Sequence, residues 1–135
     1  MIIKNLLALK TFWLVTAVFW TSTILFLCLI DSSELPSLSI KMEGTDKGVH
    51  FTFHFIFTLL WSMYVYSLTK NINRKKILKV LIASFLFGVL IEIFQGCFTT
   101  TRQADVMDVL ANTIGAISAG ILIYFILKRI KKLKT

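Results

Sequence analysis

Four long apolar runs dominate this chain, and their lengths leave few folds open. They extend from about Phe12 to Ile30, Val49 to Leu68, Ile77 to Phe98 and Val109 to Leu127. Each holds roughly 20 residues, which at about 1.5 Å per residue spans the hydrocarbon core of a bilayer as a helix. Lipid offers no partner to an exposed peptide group, so each run must close its own backbone hydrogen bonds. The expected fold is all-α: a four-helix transmembrane bundle in which residues 1–135 form a single domain. Composition agrees, because only 16% of the residues are charged, against roughly 25% in a soluble domain.

The first run is expected to be a retained span rather than a cleaved leader. It exceeds the roughly 7–15 apolar residues of a signal core, and no A-x-A-like site follows it. Leu27 precedes Cys28 where a lipoprotein cleavage site would have a small residue. Cys28 and Cys97 lack metal-ligand spacing and read as small apolar residues.

The net charge of +8 raises the question of nucleic acid. The basic residues answer it by position. Lys4 and Lys10 precede the first run. Lys70, Arg74, Lys75, Lys76 and Lys79 join the second and third, and Lys128, Arg129, Lys131, Lys132 and Lys134 follow the fourth. No aromatic stacking platform lies between them, so no nucleic-acid partner is expected. By the positive-inside rule both termini and the middle connection are cytoplasmic, and the other two connections face outward. Trp13, Tyr64, Tyr66 and Tyr124 fall near the predicted cytoplasmic ends, where amphipathic rings suit the interface.

The acidic residues take the opposite side. Asp31, Glu34, Glu43 and Asp46 precede the second run, Asp105 and Asp108 precede the fourth, and Glu92 lies inside the third. Helical rise places Glu92 about 9 Å below the outer end of its span, and His50 and His54 about 6 and 12 Å past Asp46. The polar residues also fall into stripes. Asp46, His50 and His54 repeat every four residues, Glu92 and Gln95 are three apart, and Asp105, Asp108, Asn112 and Gly115 follow one face. A carboxylate at the centre of a span costs on the order of 2.5–3.5 kcal/mol, so Glu92 must face the bundle or water. Small residues mark the close approaches: Ser84, Gly88 and Gly96 in the third run, Ala111, Gly115 and Ala119 in the fourth. The third and fourth helices are therefore expected to pack together and to bring Glu92 and Gln95 beside Asp108 and Asn112.

The ordered series Asp46-Lys47-x-x-His50-Phe51, Glu92-x-x-Gln95 and Arg102-x-x-Asp105-x-x-Asp108-x-x-x-Asn112-x-x-Gly115 resembles the VanZ-like family of small membrane proteins. The resemblance covers about Asp46 to Ala119. His54 stands where the family more often has an aromatic residue. "FTTT" stands before Arg102 where proline and glycine are common, and Ala119 replaces a frequent glycine. The resemblance implies a protein of the bacterial cell envelope, and for the founding member an association with teicoplanin resistance.

The expected site is a polar pocket on the extracytoplasmic side formed by Asp46, Lys47, His50, Glu92, Gln95, Arg102, Asp105, Asp108 and Asn112. One use is to bind an amphiphilic envelope ligand or a glycopeptide, its head group meeting Lys47, His50 and Arg102. The planar fork of Arg102 suits phosphate or carboxylate. Another is catalysis on a lipid-linked or cell-wall precursor, with Glu92 or Asp108 as general base and His50 as acid. Competing structural roles exist for each group. Asp46 and Lys47 can cap a helix, Gln95 and Asn112 can join helices, Glu92 can pair with Arg102 or Lys47, and His54 suits packing. A metal held by Asp46, His50, Asp105 and Asp108 is chemically reasonable, but the spacing has no tight ligand signature. No metal and no cofactor is expected, and membrane lipids are the one assured partner.

Overall fold

The computed structural model describes residues 2–30, 45–99 and 104–133. Four helices account for nearly all of them: α1 (Ile2–Leu29), α2 (Thr45–Thr69), α3 (Arg74–Phe98) and α4 (Val106–Leu133). All four are long and apolar enough to cross a membrane. The protein is thus an all-α, multi-pass membrane protein. α1 and α4 run well beyond the expected apolar limits, into the segments that carry Lys4 and Lys10 and Lys128 to Lys132. Lysine and arginine are good helix formers, so the helix does not stop where hydropathy does.

Helix ends are set by local chemistry. Asn73 caps α3 by accepting the Lys76 N–H at 3.0 Å. α2 stops at Lys70, the described non-glycine residue with positive φ (49°), whose N–H reaches the Tyr66 carbonyl at 2.8 Å. Asp105 caps α4 by accepting the Met107 N–H at 2.8 Å.

The helices alternate in direction, so α2 and α4 run parallel. Lys47 meets Asp105, His50 meets Asn112, and Phe51 meets Gly115. α2 touches all three other helices, whereas α1 touches α2 and α3 but not α4 among the described residues. α1 is held by two indole bonds: Trp20 Nε1–H to the Phe53 carbonyl at 3.1 Å, and Trp61 Nε1–H to Thr21 Oγ1 at 3.2 Å. Ile24, Cys28, Phe57 and Ile91 form the apolar core where α1, α2 and α3 meet.

Beside this apolar core, the bundle exposes large apolar side chains and buries many polar ones. Phe12, Val15, Phe19, Phe26, Leu86, Ile93 and Phe125 lie outside, while His50, His54, Thr58, Ser62, Ser84, Glu92, Gln95, Asp108 and Asn112 are buried. In lipid the hydrophobic effect cannot drive helices together, and close packing and polar contacts take its place.

Glycines set two of these approaches. A methyl group at Gly115 would collide with the Phe51 carbonyl oxygen, so the backbones of α2 and α4 come close because Gly115 has no side chain. The small-residue pattern places Gly115 on a ridge toward α3; the structure turns it to α2. Gly88 does face α4, where an added Cβ would meet Asn112 Nδ2 at 3.0 Å.

Gly115→Ala is therefore expected to destabilise the bundle by about 1–3 kcal/mol, the usual cost of overpacking. A Cβ added at Gly48 would meet nothing within 4 Å, and Gly48→Ala should gain about 0.5–1 kcal/mol from helix propensity. Denaturation of both variants in the same detergent checks the contrast; equal stabilities would exclude the close approach.

Candidate functional site

The site forms where α2 and α4 begin and α3 ends. Each helix brings its polar residues there for a local reason. On α2 the three- and four-residue spacings of Lys47, His50 and His54 turn them toward α3 and α4. On α3 Glu92 turns inward. On α4 the cap residue Asp105 leads into Asp108 and Asn112 on the face that meets α2.

His50 is the centre of the group. Its Nδ1 lies 3.2 Å from Asn112 Oδ1 and 3.9 Å from Glu92 Oε1. Its Nε2 lies 3.7 Å from Asp108 Oδ2 and 4.0 Å from Asp46 Oδ1. The side chains of His50, Glu92 and Asp108 are 3%, 5% and 8% exposed. Asn112 Oδ1 can only accept, so the bond to it requires a proton on Nδ1. Nε2 is left facing two carboxylates.

Around this centre the remaining groups divide. Lys47 Nζ donates to Asp105 Oδ2 at 3.3 Å and lies 3.6 Å from Asp108 Oδ1. Glu92 Oε2 accepts the Asp105 backbone N–H at 3.0 Å, which ties α3 to the start of α4. Glu92 Oε1, Asp108 Oδ1 and Asn112 Nδ2 are buried without a hydrogen-bond partner among the described residues. Gln95 turns away: its Nε2 donates to the Cys28 carbonyl at 2.9 Å and so fastens α3 to α1. The sequence pattern puts it beside Asp108 and Asn112; the side-chain bond it makes in the structure is to α1. Asp46, Lys47, His50, Glu92, Asp105, Asp108 and Asn112 come together. Arg102 lies outside the described residues.

One turn deeper, His54 Nδ1 bonds to Ser84 Oγ at 2.8 Å, and its ring lies 5.9 Å from those of Phe57 and Phe87. Packing surrounds it on these sides. Below His54, Thr58 and Ser62 continue the buried stripe with hydroxyls that lack partners among the described residues. Neither belongs to the site expected from sequence, although the same four-residue repeat runs on through both.

Apolar grooves of about 350, 310 and 250 Å³ run along the helices, and none of the site residues lines them. Two reach the basic end of the bundle, at Arg74 with Tyr124 and at Lys76 with Lys79.

A family profile described as VanZ/LLP1 matches residues 2–128. The chain belongs to the VanZ/LLP1 family. The match includes α1, which carries none of the site motifs, as well as the three helices that build the site. No curated protein and no solved structure matches the chain.

The contacts of Glu92 and Asp105 each have a measurable consequence. Glu92→Ala leaves the Asp105 N–H without its acceptor and should cost about 1–3 kcal/mol, whereas Glu92→Gln keeps an acceptor and should cost less. Thermal denaturation in detergent separates the two. The Asp105 carboxyl is held below its ordinary value of 3.8, first by the Met107 N–H and then by Lys47. A depressed folded-state value means that Asp105 stabilises the start of α4 above its unfolded value and loses this as pH falls through the folded one. Amide-exchange protection of Met107 and Asp108 should therefore drop in acid below that value. Asp105→Asn keeps the cap and should remove Asp105's share of that dependence; an unaltered acid profile would contradict it.

Proposed function

We propose that this protein is an envelope factor of the bacterial plasma membrane that binds the head group of an amphiphilic or lipid-linked ligand. Both termini lie in the cytoplasm in this reading, because the basic clusters gather at the end where α1 and α3 begin. The His50 site then opens toward the outer leaflet. The observation that carries the proposal is the burial of ionisable groups from three helices around one histidine. Ionisable groups inside a membrane are costly and usually functional, and here several share one place.

The head group meets Lys47, His50 and Arg102, and the apolar part lies along the helix faces. Binding of this kind to a wall precursor or to a glycopeptide lowers susceptibility to drugs such as teicoplanin, the property associated with the family's founding member. A second reading is a membrane enzyme that acts on the same class of ligand. It is favoured by the position of His50 between Glu92 and Asp108, at 3.9 and 3.7 Å, an arrangement suited to proton transfer once a substrate closes the gaps.

Expression in a susceptible host should raise the inhibitory concentration of teicoplanin, and His50→Ala and Arg102→Ala should abolish the rise at equal protein level. Lipid-linked precursor should bind the purified protein, and Arg102→Ala should weaken that binding about tenfold or more, as expected for a lost hydrogen bond to a charged group. Variants that bind and protect like the parent would defeat the proposal. Release of product from the bound precursor would select the enzyme reading.

A further inference from the structure

We infer that Asp46, His50 and Asp108 form a binding site for a divalent first-row metal ion, Zn²⁺ or Mn²⁺. The three residues each offer one ligand atom, and these atoms lie within 4.8 Å of one another. His50 Nε2 stands 4.0 Å from Asp46 Oδ1 and 3.7 Å from Asp108 Oδ2. Those separations are too long for hydrogen bonds. They are the separations at which donors sit around a shared ion, since bonds of roughly 2.0–2.6 Å hold neighbouring ligands about 3–4 Å apart.

The surroundings support a metal ligand rather than an ordinary buried histidine. A metal-bound imidazole typically donates its other N–H to an oxygen acceptor, which fixes the tautomer and the ring. Asn112 Oδ1 at 3.2 Å from Nδ1 provides that acceptor, with Glu92 Oε1 behind it at 3.9 Å. The Nδ1–H tautomer leaves the Nε2 lone pair aimed at the two carboxylates.

Asp108, one of the three, has unmet acceptor capacity. Its side chain is 8% exposed, and its Oδ1 accepts no hydrogen bond from the described residues. Lys47 approaches that same Oδ1 at 3.6 Å and leaves Oδ2 to His50. Lys47 is itself engaged by Asp105. Four carboxylates, of Asp46, Glu92, Asp105 and Asp108, thus face one ammonium and one imidazole among the described residues. A divalent cation between Asp46, His50 and Asp108 would balance carboxylate charge there.

Imidazole with carboxylate oxygens is a donor set for Zn²⁺ or Mn²⁺ rather than for soft, thiolate-preferring ions. Three protein ligands leave further coordination positions open. The role of those positions rests on the head-group reading above: they would take a phosphate oxygen of the head group.

The test uses the full chain in detergent, stripped with chelator and labelled with ¹⁵N at histidine. The chain has two histidines, His50 and His54, so the signals are few. Zn²⁺ at one equivalent should shift the His50 Nε2 resonance and keep the proton on Nδ1, and calorimetry should give one site. Asp46→Asn alters an exposed residue at a helix start and is expected to fold; it should weaken Zn²⁺ binding at least about tenfold, as should Asp108→Asn. Binding that is absent, that is unchanged in Asp46→Asn, or that leaves His50 unshifted overturns the site. A precursor that binds the metal-free protein as tightly as the loaded one removes the assigned role but not the site. Zn²⁺ binding without any precursor binding leaves the metal site and removes the head-group reading.

Discussion

Glu92 sits about 9 Å inside its span by helical rise, on the way to the centre, where a carboxylate in lipid costs on the order of 2.5–3.5 kcal/mol. It can avoid that cost only by turning inward and finding donors. The donor it finds is a backbone group, the Asp105 N–H, at the first turn of a different helix. That bond fixes where α4 starts relative to α3. Asp105 in turn caps α4 and holds Lys47 of α2. One buried carboxylate thus determines how three helix ends are gathered, and the close approach at Gly115 and Phe51 lets the gathering occur without a gap between backbones.

The rest of the bundle follows from the same exclusion of polar groups from lipid. α2 carries the longest polar stripe, from Asp46 through His50, His54 and Thr58 to Ser62, so α2 has the most to bury and sits against all three neighbours. α1 carries little that must be hidden, and it lies at the side. It is fastened by indole N–H groups of Trp20 and Trp61 and by the Gln95 amide, each bonded across helices. Its outer face is left to Phe12, Val15, Phe19 and Phe26, which suit acyl chains.

The spans and the polar stripes are legible in the sequence because lipid imposes a length and a period that few residues can escape. Glu92 is legible as an inward group for the same reason. Pairings between helices are less so. Gln95 and Glu92 are three residues apart on one helix face, yet the angle between them is enough to send one to α1 and the other to α4. Small residues announce a close approach without naming the partner, and Gly115 therefore gives no sign that it meets α2. Nor does hydropathy foretell the extensions of α1 and α4, because it marks where lipid ends, not where hydrogen bonding along a helix ends. Arg102, which carries part of the expected site, lies outside the described residues.

A site assembled in this way has a thermodynamic consequence. Its groups belong to α2, α3 and α4, and none of these helices alone presents more than a fraction of them. A ligand that engages His50, Glu92 and Asp108 together binds the docked bundle and not the separated helices, so its occupancy and the docking of α4 are linked. Glu92 Oε1, Asp108 Oδ1 and Asn112 Nδ2, partnerless among the described residues, are the part of that linkage that stabilises least in the unliganded protein, because each buried polar group without a partner opposes folding. Under the proposed function, binding and stability pull against each other at this end of the bundle. At the opposite end Arg74 and Lys76 do have partners: Arg74 Nη2 lies 3.4 Å from the Tyr124 hydroxyl, and Lys76 Nζ donates to the Asn71 carbonyl at 2.8 Å.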